Sequence, residues 1–173
     1  LRLLGAGSME FDGTNDYVDC GNDSSLQITG ALSISAWAKK TNAINVRFIT
    51  KYNAPADGSF YLAILANGKF RLNITSGDSG WEVNGTSDLN DSEWHHLTAV
   101  YTPSISLKVY VDGILENTNT SSIPASLDND DVNFVIGTEG DYELDFTGNL
   151  KNVAVWNRAL TATEVQNVMY KSY

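Results

Sequence analysis

Two glycine turns constrain this chain more than any other feature. Asn67-Gly68 lies between the runs FYLAILA and KFRLNI, and Asp112-Gly113 lies between LKVYV and ILEN. Each dipeptide tolerates the positive φ of a tight type I′ hairpin turn, so each commits its flanks to antiparallel pairing. Along Leu107, Val109 and Val111 the apolar side chains alternate with Ser106, Lys108 and Tyr110, which is the period of a strand with one face in a core. In Ala31–Lys39 the alternation puts Leu32, Ile34 and Ala36 on one side and Ser33, Ser35 and Trp37 on the other. Trp37 is thereby a candidate for a ligand-side face.

Similar short runs recur between clusters of Gly, Asn, Asp and Ser, which points to an all-β sandwich rather than alternating strands and helices. The expected strands are Ser8–Phe11, Tyr17–Cys20, Ala31–Lys39, Arg47–Tyr52, Ser59–Ala66, Lys69–Thr75, Trp81–Asn84, His95–Tyr101, Ser106–Val111, Ile114–Asn117, Asn133–Gly137 and Gly148–Asn157. Twelve strands suffice for two antiparallel sheets. One helix is expected near the C-terminus, where Thr161-Ala-Thr-Glu164 is a capping box and Val165, Val168 and Met169 share a stripe. At 173 residues with 42% hydrophobic content, the chain holds one well-buried core, so residues 1–173 are read as a single domain.

The formal net charge of −10, with the 11 basic residues scattered, argues against nucleic acid or an anionic membrane as partner. No apolar run reaches the 18 residues of a membrane helix, and the first ten residues lack the form of a signal peptide. Leu1 is not a natural start, so the chain is read as a processed or excised piece of something longer. Cys20, the single cysteine, excludes an intrachain disulfide and is assigned to packing. Five Asn-x-Ser/Thr sequons, at Asn22, Asn73, Asn84, Asn90 and Asn119, mark polar loops and little more.

Motif order carries more information than any single motif. The chain reads SMEFDGTNDYVDC, ALSISAWAKK, SEWHHLTAVYT, LKVYVDGIL, FVIGTEG and finally GNLKNVAVWNRALTATEV. From end to end this resembles the laminin-G-like and pentraxin group of concanavalin A-like domains. The resemblance implies a two-sheet antiparallel jelly roll with a short C-terminal helix, on a secreted, cell-surface or virion protein. In the third motif His95 and His96 point to opposite sheet faces, and neither has a partner at a zinc spacing.

The densest acidic segment is Glu139-Gly-Asp141-Tyr-Glu143-Leu-Asp145. If extended, it aims four carboxylates to one side, roughly 7 Å apart at strand rise, and a calcium ion with six to eight oxygen ligands would neutralise them. In pentraxins an acidic loop after the matching Ile-Gly strand binds calcium together with an upstream acidic residue. By that resemblance Glu139 and Asp141 match the loop ligands and Asp57 the upstream one, with Glu143 and Asp145 completing the set. The same residues also resemble the Glu-x-Asp-x-Glu strand of retaining β-glucanases, although Gly140 stands where those enzymes carry a β-branched residue. Laminin-G-like domains often carry an acidic residue in the last strand where this chain has Lys151. Asp12 and Asp16 of the FDGTND turn are accordingly read as turn formers bonded to local backbone.

Sugar recognition requires an exposed aromatic platform with hydrogen-bonding neighbours. The candidates are Trp81 in the polar segment GDSGWEVNG, Tyr142 and Tyr52, while Trp37, Trp94 and Trp156 are expected to supply the core tryptophans. The expected function is a non-catalytic carbohydrate-binding or adhesion module, with calcium as its cofactor and a glycan or glycoprotein as its ligand. A protein-binding laminin-G module and a glycosidase using Glu139, Asp141 and Glu143 are the alternatives.

Overall fold

The computed structural model describes residues 2–4, 7–53, 57–129, 131–138 and 144–171. Among these, thirteen strands form two antiparallel sheets. In chain order they are β1 (Arg2–Leu4), β2 (Ser8–Asp12), β3 (Val18–Asp19), β4 (Leu32–Lys40), β5 (Val46–Asn53), β6 (Asp57–Ile64), β7 (Phe70–Ser76), β8 (Ser79–Asn84), β9 (His95–Thr102), β10 (Ser106–Val111), β11 (Ile114–Asn119), β12 (Val135–Ile136) and β13 (Thr147–Trp156). The larger sheet runs β1-β2-β13-β4-β9-β10-β11 and the smaller β3-β12-β5-β6-β7-β8. The architecture is the expected jelly-roll sandwich, closed by one C-terminal helix, α1 (Ala162–Met169).

Alternation builds the core. Leu32, Ile34, Ala36 and Ala38 of β4 face Val46 and Phe48 of β5, Phe60, Leu62 and Ile64 of β6, and Phe70, Leu72 and Ile74 of β7 in one buried cluster. A second, smaller cluster lies outside the larger sheet, where Val165 and Val168 of α1 cover Val100 and Tyr110. The helix starts as its sequence dictates: Thr161 Oγ1 accepts from the Glu164 N–H, and a Glu164 carboxylate oxygen accepts from the Thr161 N–H.

The two glycine turns differ. Asp112 and Gly113 both have positive φ, 49° and 76°, as the type I′ turn requires. At the other hairpin Gly68 alone is left-handed, with φ 77°. Its N–H donates to Leu65 O, and the Leu65 N–H donates to Lys69 O, so the chain turns by a three-residue loop with Gly68 as the bulge residue.

Several expectations about single residues are corrected by burial. Trp37 points to the outer face of the larger sheet, but the end of α1 covers it: its indole N–H donates to Met169 O at 3.3 Å, and its ring meets His96 edge-on at 5.5 Å. Lys151 lies over the Trp37 and Trp94 rings, 5.4 and 4.3 Å from their centroids, so the cation that departs from the family's acidic residue is held by aromatic faces. None of the four tryptophans is fully buried, and Trp81 is the one that packs on the main core. Cys20 is exposed rather than packed, because the backbone pairing of its N–H with Phe134 O turns its side chain outward. Four of the five sequon amides donate within the fold, Asn22 to Asp131, Asn84 to Glu82, Asn90 to Ala66 O and Asn119 to Glu82 O.

His95 and His96 do lie on opposite faces, since their register partners are Ala38 and Trp37. Their titrations oppose each other. Burial opposes charge on His95, yet the carboxylates of Asp112 and Asp91, at 2.8 and 3.1 Å, hold its pKa above the ordinary value. Burial pulls His96 down to about 4, against a weaker pull from Asp112. Between about pH 4 and 6.5 the unfolded chain therefore binds a proton at His96 that the folded chain does not. Stability from this residue falls as pH drops through that window, by up to about 1.4 kcal/mol per pH unit. Urea midpoints at the top and in the middle of the window are expected to differ less in His96→Gln than in the wild type. An unchanged pH dependence would contradict the assignment.

Candidate functional site

The outer face of the smaller sheet carries the polar and aromatic side chains that alternation excludes from the core. With Phe60 and Leu62 inward, Tyr61 turns outward on β6; with Phe70, Leu72 and Ile74 inward, Arg71, Asn73 and Thr75 turn outward on β7. A bulge in β5 at Phe48–Ile49, where two residues stand against one of β6, brings Tyr52 to the same face as Arg47, because the extra residue advances the side-chain alternation by one.

The rings of Tyr52 and Tyr61 meet edge-on at 5.5 Å, and the Arg47 guanidinium lies 3.8 Å from the Tyr61 centroid and 5.2 Å from that of Tyr52. Burial, with Arg71 nearby, lowers the Arg47 pKa from its ordinary value, while the two tyrosines oppose that shift. Arg71 pairs with Glu82 at 2.9 Å and donates to Asn84 Oδ1 at 2.8 Å. Beside this stack opens a cleft of about 270 Å³, lined by Tyr52, Tyr61, Asn73, Thr75, Asp78 and Gly80. Gly80 is paired with Thr75, and without a side chain there the cleft stays open along β8. The tip of the β7–β8 hairpin is tied down by the Gly77 N–H, which donates to Asp128 Oδ1 at 2.9 Å.

The residues singled out in the sequence are distributed unequally over this face. Tyr52 lines the cleft and is partly exposed. Trp81 does not offer an open ring: it is paired with Ile74, an inward position, and leans on the core, so the expectation of an exposed platform at Trp81 is corrected. The polar, glycine-rich neighbourhood of Trp81 is real, but register decides its face. Tyr61 and Arg47 went unselected, although the alternation of FYLAIL already separates Tyr61 from Phe60 and Leu62.

Tyr142, Glu139, Asp141 and Glu143 lie outside the described residues, and of Asp57 only the backbone is described, paired with Asn53 at the far end of β5. The flanks of the acidic segment are described. The Arg47 N–H donates to Leu144 O, the Gly137 N–H to Phe48 O and the Phe146 N–H to Gly137 O. The segment therefore leaves and rejoins the sheet beside the first half of β5, next to Arg47. Asp145 Oδ1 accepts a hydrogen bond from the Thr138 hydroxyl. Among the described residues no three His, Cys, Asp or Glu side chains converge on a common point. Asp12 and Asp16 are the turn formers expected: Asp12 Oδ1 accepts from the Thr14 N–H and Asp16 Oδ2 from the Asp12 N–H.

A profile of the concanavalin A-like lectin/glucanases superfamily, in its laminin-G form, matches residues 12–166. The chain belongs to this superfamily. Among solved structures, the native heptameric SAP-like pentraxin from Limulus polyphemus resembles it with a TM-score of 0.72 and 18% identity, over 93% of this chain and 80% of the pentraxin. The binding domain of Paraclostridial Mosquitocidal Protein 1 gives a TM-score of 0.75 at 12% identity, over 93% of this chain and 42% of the toxin domain. The ligand-binding domain of botulinum neurotoxin serotype D, solved with N-acetylneuraminic acid, gives 0.75 at 13% identity, over 97% of this chain and 43% of that domain. The chain thus spans about two-fifths of the toxin domains it matches. No curated protein sequence matches it. At these identities the likeness fixes a concanavalin A-like fold, and superfamily members with that fold divide into binders and hydrolases according to what lines their clefts.

Proposed function

We propose that this domain is a non-catalytic carbohydrate-binding or adhesion module of a secreted or surface protein, and that the cleft beside Tyr52 and Tyr61 takes the sugar. The observation that carries the reading is that cleft: a partly exposed aromatic ring beside an amide, a hydroxyl and a carboxylate on the outer face of the smaller sheet. A pyranose presents C–H groups on one face and hydroxyls around its rim, and those are the partners such a cleft supplies. Two of the structures this fold resembles over part of their length are toxin binding domains, one of them solved with N-acetylneuraminic acid, and this supports a binding role. Among the described residues no helix is long and apolar enough to cross a membrane.

Tyr52→Ala is expected to weaken binding of the best glycan-array ligand about tenfold or more, equivalent to about 1.4 kcal/mol. The melting temperature is expected to move little, because the ring is partly exposed on the outer face of the sheet rather than set in the main core. Unchanged affinity would overturn the assignment. An array without hits beside a positive protein pull-down would replace the glycan with a protein partner, and reducing-sugar release from β-glucans, lost in Glu139→Gln, would replace binding with hydrolysis.

Calcium belongs to this reading as the cofactor of the acidic segment. Glu139, Asp141, Glu143 and Asp145, with Asp57, offer the hard oxygen donors the ion prefers, and it would fix loop and ligand hydroxyls together. Among the described residues Asp145 is held toward the segment's start by Thr138, which suits a loop gathered around one ion. An ion bound only by the folded state stabilises it by about 2.7 kcal/mol at a hundredfold excess over Kd. Thermal melts in millimolar calcium are therefore expected to lie above those in EDTA, with magnesium less effective. Coincident melts would remove calcium from the proposal.

A further inference from the structure

The geometry points to a second sugar-binding subsite, selective for neutral pyranoses, in the cleft between the FDGTND turn and β12. From the preceding reading it takes the class of ligand; it uses none of the residues of the first cleft, and of the acidic segment it uses only Asp145, in its calcium-free form. The cleft measures about 340 Å³ and is lined by Thr14, Asn15, Tyr17, Asp19, Thr138 and Asp145 around Val135. Its size suits one or two sugar rings.

One wall offers an apolar surface. The Tyr17 side chain is 54% exposed, and the half-buried Val135 sits beside it, cross-strand from Asp19. Facing them are hydrogen-bonding groups whose positions are already set. Asp19 Oδ1 accepts from the Gly21 N–H at 2.8 Å and Oδ2 from the Asn133 side-chain amide at 2.9 Å. Asp145 is oriented by the Thr138 hydroxyl, and Thr138 O in turn accepts from the buried Thr50 hydroxyl at 3.0 Å. The turn carrying Thr14 and Asn15 is braced by Asp12 and Asp16. Gly13 there has φ 79°, and a Cβ on it would fall 2.0 Å from Thr147 Oγ1, so the turn has little freedom to rearrange. Binding to groups held this way loses less conformational entropy than binding to mobile ones.

The charge of the lining sets the class of sugar. Both ionisable groups besides Tyr17 are carboxylates, which accept from sugar hydroxyls and repel a uronate, a sialic acid or a sulfate ester. Among the described residues no Lys or Arg lines the cleft to compensate. The first cleft also carries a carboxylate, Asp78, but one of its walls, Tyr61, is stacked on the Arg47 guanidinium, a feature for which the second cleft has no counterpart among its described lining residues. A branched or extended glycan with a neutral terminus would be read at two points.

Amide NMR spectra of the whole domain, titrated with lactose, cellotriose and mannotriose and separately with 3′-sialyllactose, test this directly. At least one neutral probe is expected to shift the amides of Tyr17, Asp19, Val135 and Thr138, and a sialylated probe is expected to do so about tenfold more weakly. Tyr17→Ala is expected to abolish those shifts with an unchanged melt, and Tyr17→Phe to retain them. Shifts confined to Tyr52 and Asn73 would overturn the second subsite while supporting the first. Shifts confined to Tyr17 and Val135 would do the reverse. Equal response to lactose and 3′-sialyllactose at Tyr17 would overturn the neutral preference, and shifts that persist in Tyr17→Ala would overturn the site.

Discussion

Replacing Phe146 by alanine is expected to destabilise the domain by about 3–5 kcal/mol, and so to lower its melting temperature by roughly 6–20 °C in a chain of this size. The ring is fully buried and packs between Phe11 and Phe48, with centroids 6.0 and 5.9 Å away. Removing it deletes an aromatic contact to each sheet and leaves a cavity that the flanking β-strands cannot close without losing their pairing. The same residue fastens the far end of the acidic segment, through its N–H to Gly137 O. Ile105→Ala is the control, since that side chain is 62% exposed and its loss is expected to stay within about 0.5 kcal/mol. Urea titrations of the two variants would decide, and comparable midpoints would contradict the packing described.

The contrast between legible and illegible features follows from distance along the chain. The strand set, the Asp112-Gly113 turn and the capping box at Thr161 are local: neighbours within a few residues dictate them, and the structure contains them with ends shifted by a few residues. The short strand β1 is not legible in the sequence because RLL is too brief to show a period, and only pairing with Ser8–Glu10 makes it a strand. Register in β5 was equally hidden. A strict alternation from Val46 would send Tyr52 inward with Phe48, and the bulge at Phe48–Ile49 that returns it to the open face depends on pairing with β6. Both clefts share this property. Asp19 and Asp145 meet across more than a hundred residues of chain, so no spacing rule announces them.

Buried lysines make the same point about charge. Lys40 continues the inward series of Leu32, Ile34, Ala36 and Ala38, where alternation alone predicts an apolar residue. Its ammonium donates to Leu65 O at 2.9 Å and to Asn90 Oδ1 at 3.1 Å, and burial pulls its pKa to about 8 against the attraction of Asp88. Lys51 is likewise buried, donating to Asn22 Oδ1 and Val132 O. In both cases the loop atoms that satisfy the charge come from segments remote in sequence. These lysines join loops to strand ends, which leaves the open face of the smaller sheet to the aromatic and polar groups that form its cleft.

Trp81→Ala separates packing from recognition, and here the structure reverses the reading of the bare sequence. Were the ring an open platform, its removal would abolish glycan binding and spare the fold. Instead Trp81 stands opposite Ile74 on β8 and rests against the main core. Its loss is expected to cost about 3 kcal/mol, the lower end of the range for a buried aromatic because part of the ring stays in solvent. For a chain of this length that is a drop of roughly 6–12 °C in melting temperature. Its neighbours Gly80 and Thr75 line the first cleft, but the indole itself points to the other side of the sheet. At temperatures well below the lowered melt, affinity for the glycan that Tyr52→Ala weakens is therefore expected to stay within about threefold of wild type. Paired measurements on the two variants give opposite patterns: Tyr52→Ala loses binding and keeps stability, whereas Trp81→Ala loses stability and keeps binding. An intact melt with abolished binding in Trp81→Ala would return the indole to the ligand and contradict the face assigned to β8.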